Sequence, residues 1–235
     1  RRNGQIIEGE GRQYLNKNRG KRSLAIDLND EAARDAVKAL VHRADIVLAN
    51  FRPGLAKGFG LDYDSVATVN PRVIYAENTG YGHEGPLADA PGIDITLQAY
   101  SGIAQFHPED GPIRQPNPLT DYGTALMMAW GVSTALYHRE RSGSGQKLDT
   151  SLLQAALVMQ NNHINHIDAI DSGRTEFAEY LKTAFAEGAS WAEVLAERAD
   201  AQAAVSMNAY YGFHRTSDGT IAIGGGSVAI RRQIV

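Results

Sequence analysis

Three short apolar runs, separated by segments of helical spacing, constrain the fold of this chain more than any other feature of its sequence. We interpret the runs as strands, and they are "SLAIDL" (Ser23–Leu28), "DIVLANF" (Asp45–Phe51) and "PRVIYAENTG" (Pro71–Gly80). After the first run, apolar residues recur from Ala33 to Val41 at the spacing of a helix, which Asn29 or Asp30 can cap. Strands that alternate with helices pair in parallel through right-handed crossovers. The sequence therefore predicts an α/β fold with a Rossmann-like parallel sheet followed by long helices.

The segments that follow these runs are candidate ligand-binding loops, because parallel sheets bind ligands at the carboxyl ends of their strands. One of them, "NFRPGLAKGFG" (Asn50–Gly60), combines glycines with Arg52 and Lys57. It lacks the glycine-lysine-serine/threonine core of a phosphate loop. Two interpretations stay open, a turn with solvated cations or a phosphate contact at the sheet edge. The basic stretch "NKNRGKR" is open to the same two interpretations.

The chain is largely helical after Gly92. Helices are predicted over Ile93–Ala104, Tyr122–Arg139 and Thr150–Ile164, and surface helix over Arg174–Ala204. A hairpin is predicted over Tyr210–Gly226, with its turn at "SDG". We expect residues 1–150 to form an α/β domain, and residues 151–235 to form linker helices and the start of a second, smaller domain.

Asp121 stands between a proline-broken loop and an almost uncharged run, in "NPLTDYGTALMMAWG". Two interpretations remain open for it. Thr120 or Asp121 can cap a helix that begins at Tyr122. Alternatively, Asp121 is a nucleophile, which the helix dipole keeps ionised beside N–H groups that can bind a developing oxyanion. Gly123 leaves little side-chain bulk on the first turn, so a ligand could approach closely.

Composition limits the classes of function. A formal charge of -4 gives no electrostatic reason to expect nucleic acid or an anionic membrane as partner. The absence of cysteine excludes disulfides, thiolate metal sites and a cysteine nucleophile, and with no signal peptide in view we expect a cytoplasmic protein. His163 and His166 lie one helical turn apart, but without a further ligand nearby they predict no metal site.

Seven stretches together resemble the class III CoA-transferases, the family of formyl-CoA transferase and carnitine CoA-transferase, to which alpha-methylacyl-CoA racemases are related. They are "NRGKRSLAIDL", "ADIVLANFRPG", "VNPRVIYAENTGYG", "PGIDITLQAYSG", "LTDYGTALMMAWGVSTAL", "SGSGQKLDTSLLQAAL" and "YYGFHRTSDGTIAIGG". Their order and spacing carry the resemblance, which runs from about Asn18 to Gly225. The resemblance implies the class III CoA-transferase fold. The family's first strand and glycine turn have no match, so we expect a truncated chain whose CoA pocket is incomplete at the N-terminus.

The resemblance also implies a set of site residues. Asp121 falls on the family's catalytic aspartate. The positions that fall on CoA contacts or line the approach to the active site are Ile26, Asn50, Phe51, Arg52, Gly92 and Asp94. Lys57 neighbours Gly58, which aligns with a basic phosphate contact. The resemblance implies no cofactor beyond CoA as a substrate, and an intertwined homodimer in which the segment after Ser151 crosses to the partner.

The implied reaction moves CoA from an acyl-CoA donor to a carboxylic acid acceptor through a covalent aspartyl intermediate. An aspartate of ordinary acidity is ionised at neutral pH, so it can attack a thioester without a partner base. Two alternatives stay open. A racemase of this fold needs a histidine where the chain has Ile93 and an acid near Ser227, so isomerase chemistry is disfavoured. A non-catalytic CoA-binding module is the other alternative.

Overall fold

The computed structural model describes residues 6–7, 9–107, 111–113, 115–169, 171–202, 210–225 and 227–234. The chain divides into two units, and each is described by itself. Unit 1 is formed by Arg1–Pro91 and Leu126–Thr150, and unit 2 by Gly92–Ala125 and Ser151–Val235. The last segment of unit 1 ends at Thr150, where the sequence predicted a domain boundary. The division into two domains stays a prediction.

The described residues form short strands and helices in the first part of the chain and longer helices later. The elements up to residue 101 are β1 (Ile6–Ile7), β2 (Glu10–Gly11), α1 (Arg12–Lys17), α2 (Glu31–Val41), β3 (Ile46–Ala49), α3 (Leu55–Gly58), α4 (Tyr63–Val69), β4 (Ile74–Thr79) and α5 (Asp94–Ser101). The later elements are β5 (Gln105–His107), β6 (Gly111–Ile113), α6 (Leu119–Ser142), β7 (Gln146–Ser151), α7 (Leu152–Met159), α8 (Asn161–Ile164), α9 (Ser172–Ala184), α10 (Trp191–Gln202), β8 (Tyr211–Arg215), β9 (Thr220–Gly224) and α11 (Val228–Ile234). Among these helices, none combines the length and apolar character that crossing a membrane requires.

A three-stranded sheet organises unit 1, with β4 in the middle between β3 and β7. β3 and β4 run parallel, in a register that places Ile46 beside Ile74 and Ala49 beside Glu77. The parallel pairing predicted from the apolar runs is therefore confirmed for these two strands. The first three residues of β4 are fully buried, as a central strand covered on both faces requires. Helix α2 begins as predicted, because the side chain of Asp30 accepts a hydrogen bond from the Ala33 N–H.

The strand predicted at Ser23–Leu28 is wrong. Residues 21–27 have no regular secondary structure, and Leu24 and Ile26 are 57% and 38% exposed. Apolar residues form a strand only where a neighbouring strand accepts and donates the ladder hydrogen bonds, and these residues belong to none of the described sheets. The segment before this run is not all loop either, since it contains β1, β2 and α1.

The helices that follow Gly92 depart from prediction at their ends. Helix α6 begins at Leu119 rather than Tyr122, since the Tyr122 N–H already donates to the carbonyl of Pro118. The helix predicted over Thr150–Ile164 is two helices, α7 and α8, because the backbone of Gln160 leaves the helical conformation. The predicted hairpin is confirmed as β8 and β9, which pair antiparallel, although Gly226 at its predicted end lies outside the described residues.

The core of unit 1 contains a buried tyrosine hydroxyl. Tyr75 is 0% exposed, its ring lies 6.0 Å from that of Tyr63, and its hydroxyl donates to the carbonyl of Leu61 at 2.8 Å. Burial, with a smaller contribution from nearby carboxylates, raises the pKa of Tyr75 to about 12. The folded protein therefore holds this proton more tightly than the unfolded chain, whose tyrosines titrate near pH 10.

Replacing Tyr75 with phenylalanine is expected to lower the free energy of unfolding at neutral pH by about 1 kcal/mol, through loss of one hydrogen bond. Because its folded pKa is raised, Tyr75 contributes stability fully below about pH 10 and loses it as the pH rises towards 12. Between pH 7 and pH 11 the wild-type protein should thus lose about 1.4 kcal/mol of its free energy of unfolding that the variant does not lose. Urea unfolding from pH 7 to 11 measures the difference, with exposed Tyr100→Phe as control. Parallel pH profiles for wild type and Tyr75→Phe would contradict it.

Candidate active site

The residues predicted to form the site divide between the two units. Ile26, Asn50, Phe51, Arg52 and Lys57 belong to unit 1. Gly92, Asp94 and Asp121 belong to unit 2. The geometry is therefore described first at the sheet edge of unit 1, and then at the start of α6 in unit 2.

The loop after β3 lies at the carboxyl edge of the parallel sheet. The Asn50 side-chain amide donates to the carbonyl of Asn78 at 2.9 Å, which ties this loop to the end of β4. Phe51 packs against the core and meets Phe59 edge to face at 6.4 Å, while the side chain of Arg52 is exposed. These residues thus lie together at the edge where parallel sheets bind ligands.

Two further predicted residues of unit 1 have different surroundings. Lys57 is exposed on α3, and Gly54 caps that helix with a φ of 77°, a left-handed conformation that glycine adopts without steric cost. Ile26 is exposed on the irregular segment that replaces the predicted first strand. Of these two residues, only Lys57 belongs to an element, helix α3, that comes directly after the loop at the sheet edge.

Four ionisable side chains that sequence reasoning missed meet beside the end of β4. The Nζ atom of Lys147 lies 3.2 Å from Glu77 Oε2 and 2.9 Å from Asp149 Oδ1, and His83 Nε2 lies 2.8 Å from the same Asp149 oxygen. Burial of Lys147 lowers its pKa, but hydrogen bonds to Asp149 and Glu77 outweigh this effect and the pKa is raised. A sequence signal existed, because Lys147 and Asp149 stand two apart on a strand and so share one face.

This cluster contains the type of side chain that binds metal ions. The ligand atoms of Glu77, His83 and Asp149 lie within 4.8 Å of one another. The ammonium group of Lys147, however, already contacts one oxygen of each carboxylate, in the position that a cation would take between them. The arrangement fits a closed ion-pair network better than a metal site, and the expectation that the chain binds no metal stays a prediction.

The basic stretch near the N-terminus lines a cleft of about 290 Å³ in unit 1. Its walls include the cationic residues Arg19, Lys21 and Arg22, together with Asn18 and Tyr14. Arginine and lysine side chains around a concave surface can bind a phosphate group. Of the two interpretations of this stretch, a phosphate contact is the one that such a cleft favours.

In unit 2, Asp121 is the third residue of α6 and is exposed. The carboxylate therefore lies at the positive end of a helix of 24 residues, where the helix dipole stabilises its ionised form. The preceding residue, Thr120, is fully buried, so the first turn of α6 has one buried side and one side open to solvent.

Asp94, the first residue of α5, caps α6. Its Oδ1 atom accepts hydrogen bonds from the Thr120 backbone N–H at 2.9 Å and from the Thr120 hydroxyl at 2.7 Å. Because α6 begins at Leu119, neither Thr120 nor Asp121 occupies the N-cap position that one interpretation of the sequence gave them. Gly92 is half-buried in the loop that leads to α5.

Gly123 faces α7 rather than a ligand. A Cβ atom at this position would lie 2.6 Å from Met159 Cε and 3.2 Å from Ala155 Cβ. The prediction that Gly123 opens the first turn to a ligand is thus wrong, because α7 fills the space that its missing side chain leaves. The glycine instead permits close packing of α6 against α7.

Comparisons with known proteins agree with the α/β fold of the structure and with the family resemblance of the sequence. The profile described as "CoA-transferase family III" matches residues 1–234, so the chain belongs to CoA-transferase family III. The acetyl-CoA:oxalate CoA-transferase of Acetobacter aceti is 40% identical over 144 residues, which are 60% of this chain and 37% of that protein. The succinate–glutarate CoA-transferase of Agrobacterium fabrum is 39% identical over 158 residues, which are 66% of this chain and 39% of that protein.

Solved structures show the same fold. A CAIB/BAIF family protein from Brucella suis superposes with a TM-score of 0.65 at 30% identity, over 94% of this chain and 53% of that one. The chain has the class III CoA-transferase fold. It spans about half the length of that solved chain, and its aligned part covers about two fifths of the two curated relatives.

Proposed function

We propose that the protein transfers CoA from an acyl-CoA donor to a carboxylic acid acceptor, with Asp121 as the nucleophile. The observation that carries the proposal is the exposed carboxylate on the first turn of α6, in a chain that belongs to CoA-transferase family III. Because α6 begins at Leu119, Asp121 lies inside the first turn and not at the N-cap position. An exposed carboxylate there can act as a nucleophile and form a bond to carbon.

In the first half-reaction, a carboxylate oxygen of Asp121 attacks the thioester carbonyl carbon of the donor. A carbon–oxygen bond forms, the carbon–sulfur bond breaks, and CoA leaves as its thiolate. The product is a mixed anhydride between Asp121 and the acyl group. The thiolate then attacks the aspartyl carbonyl of that anhydride, which gives an aspartyl-CoA thioester and releases the donor acid as a carboxylate.

In the second half-reaction, the acceptor carboxylate attacks the aspartyl thioester and the same steps run in reverse. The acceptor leaves as its CoA ester, and Asp121 returns to its starting form. Each thioester formed replaces a thioester of similar energy, so the exchange needs no ATP. Water must be kept from both covalent intermediates, because it would hydrolyse them.

The CoA contacts belong to the same proposal. Asn50, Phe51 and Arg52 would hold the nucleotide part at the sheet edge, with the exposed guanidinium of Arg52 available to a phosphate. Lys57 and the backbone around Gly92 would add contacts, and Ile26 would give an apolar one. These assignments are supported by their position at the carboxyl edge of the sheet or by the family resemblance.

Short dicarboxylic acids are the first acceptors to test. The names of the two relatives mention oxalate, succinate and glutarate, all of which are dicarboxylates. We propose the same chemical class for this protein, because its sequence is 40% and 39% identical to theirs over the aligned parts.

The test uses the full-length polypeptide with acetyl-CoA or the CoA esters of succinate and glutarate, each paired with the three acids. We expect a new CoA ester without ATP for at least one pair. In the presence of donor and hydroxylamine, the aspartyl thioester should be trapped as a hydroxamate, and peptide mass spectrometry should locate it at Asp121. A transfer-competent enzyme in which Asp121 is never modified would contradict the covalent route.

The same assay separates the two alternative functions. Exchange of the alpha-proton of an acyl-CoA with deuterated solvent, without CoA exchange between acids, would indicate a racemase. Saturable CoA binding with neither reaction would indicate a binding module. Ile93, which cannot exchange a proton, supports transfer over racemisation.

We also propose that the protein is a homodimer in the cytoplasm. An apolar stripe on α6 supports a protein partner, since Leu126, Trp130 and Tyr137 are 72%, 76% and 65% exposed at helical spacing. The cytoplasmic location rests on the cysteine-free sequence. Sedimentation of the full-length polypeptide measures the oligomeric state, and a monomer at micromolar concentration would contradict the dimer.

A further inference from the structure

The carboxylate of Asp94 connects the starts of two helices. It belongs to the first residue of α5, and it accepts the Thr120 N–H at the second residue of α6. It also accepts the hydroxyl hydrogen of Thr120. A negative group between two helix N-termini is stabilised by both helix dipoles, so this contact is a strong one.

The second oxygen of Asp94 is engaged as well. Oδ2 accepts from the Gln98 side-chain amide at 2.6 Å, and Gln98 Oε1 in turn accepts from the backbone N–H of Gln115 at 2.8 Å. Gln98 is 0% exposed. The loop that enters α6 is therefore tied to α5 by the same network that caps the helix. Buried networks in which every member is satisfied are rigid and sensitive to the loss of one partner.

The first turn of α6 is also held from its other side. The Thr124 hydroxyl donates to the carbonyl of Thr120 at 2.7 Å and lies 3.2 Å from the carbonyl of Ser151. Gly123 packs closely against α7, as described above. With Asp94 on one side and α7 on the other, this turn has a fixed position and rotation, and Asp121 projects from it.

We propose that Asp94 is a positioning residue for Asp121: it fixes the first turn of α6 and thereby aims the nucleophile. The inference rests on the proposed CoA transfer. It gives the Asp94 side chain a positioning role in place of a direct contact with CoA. Both Asp94 oxygens already accept hydrogen bonds, and a carboxylate is a poor neighbour for the phosphates of CoA. Catalytic geometry is demanding enough that a displacement of about 1 Å can cost about 10²-fold in rate.

The test compares Asp94→Asn with the double variant Asp94→Asn/Gln98→Glu in the full-length polypeptide. In the single variant, an NH2 group replaces one of the two carboxylate oxygens. This NH2 group must face either the Gln98 amide or Thr120, both of which are donors, so one hydrogen bond is lost. In the double variant, the introduced asparagine can donate to the introduced glutamate and still accept from Thr120. The glutamate in turn accepts from the Gln115 N–H. The hydrogen bonds around position 94 and to the Gln115 N–H are thus restored, with the charge moved to position 98. Recovery is only partial, because the Gln98 amide also donates to the carbonyls of Gln115 and Asn117 at 3.5 and 3.4 Å, and glutamate cannot donate to them.

We expect the single variant to lose about 10²-fold in kcat with the KM for acyl-CoA unchanged. The double variant should recover about tenfold of that loss. Asp35→Asn is the matched control, because this aspartate is exposed on α2 and pairs with Lys38 at the surface. Amide hydrogen exchange at Thr120 and Gln115 should be faster in the single variant and slower again in the double variant.

The outcomes separate this inference from the proposed function. If wild type transfers CoA and Asp94→Asn has an ordinary kcat, Asp94 does not position Asp121. A raised KM with unchanged kcat would instead assign Asp94 to substrate binding, and no recovery in the double variant would contradict the network. If wild type transfers no CoA, the proposed function fails. The positioning role is then judged from amide exchange, where equal rates in all variants would overturn it.

Discussion

Replacing Asp121 with asparagine is expected to lower the rate of CoA transfer by about 10⁴-fold or more. Asparagine has the same shape but no negative charge, so it cannot form the mixed anhydride that the proposed mechanism requires. CoA binding should persist, because the residues proposed to contact CoA are unchanged. Initial rates with the best donor and acceptor pair measure the effect, and titration with CoA measures binding.

Stability distinguishes a nucleophile from a cap at this position. Because the side chain of Asp94 caps α6, loss of the Asp121 charge should lower the free energy of unfolding by about 1 kcal/mol or less, the value of a charge near a helix start. Asp35→Asn gives the matched surface control. An Asp121→Asn variant that transfers CoA at an ordinary rate would remove Asp121 from the mechanism. One that is active but markedly unstable would assign it a structural role.

Replacing Gly145 with alanine is expected to lower the free energy of unfolding by about 3 kcal/mol. A Cβ atom on Gly145 would overlap the carbonyl oxygen of Val73 and lie 2.6 Å from its carbonyl carbon. These are backbone atoms, so they cannot rotate away as a side chain could. The Gly145 N–H donates to the carbonyl of Pro71, and the next N–H, of Gln146, donates to that of Val73, so any shift also disturbs the entry to β7.

Urea unfolding checks the Gly145 prediction, with Gly58→Ala as the matched control. Gly58 lies in helix α3, and the space that a Cβ atom would occupy there is open. Alanine at this position should therefore be neutral or stabilising by up to about 1 kcal/mol. The free energy of unfolding of Gly145→Ala could instead lie within about 0.5 kcal/mol of wild type, as for an ordinary surface substitution. The close contact between Gly145 and the backbone of Val73 would then not be required for stability.

The sequence predicted the parts of the fold that depend on local patterns. The runs that became β3 and β4 are apolar and bounded by Asn50 and Gly80, so both position and pairing followed from residue type. Asp30 was a correct cap because its acceptor lies within one turn of the N–H that it binds. The hairpin followed from its turn residues.

The missed features depend on contacts between distant residues. The start of α6 is set by Asp94, 26 residues before Thr120, so no local cap reveals it. The run at Ser23–Leu28 has the composition of a strand but belongs to no described sheet, and composition does not supply a neighbour. Gln160, which separates α7 from α8, donates to the carbonyl of Ser101, 59 residues earlier.

The candidate site was predictable to a different degree in each unit. The order of the motifs made Asp121 and the loop after β3 candidate site residues, because both lie in recognisable stretches, and their roles stay predictions. The ion-pair network of Lys147 was not found, because Glu77, His83 and Asp149 come from a strand, a loop and a second strand. The capping role of Asp94 was not found either. The sequence does not show which N–H groups donate to this carboxylate, and the one it caps lies 26 residues away at Thr120.

The order of the strands in unit 1 has a consequence for synthesis on the ribosome. β4 lies between β3 and β7, and Arg72, just before β4, donates to the carbonyl of Gly143, 71 residues later. The sheet can therefore be completed only after the whole of Gly92–Ala125, with Asp121, has been translated. Until then one edge of β4 keeps its N–H and C=O groups unpaired, and such an edge recruits other strands. Nascent chains of this protein thus pass through a stage at which a chaperone would protect them from aggregation.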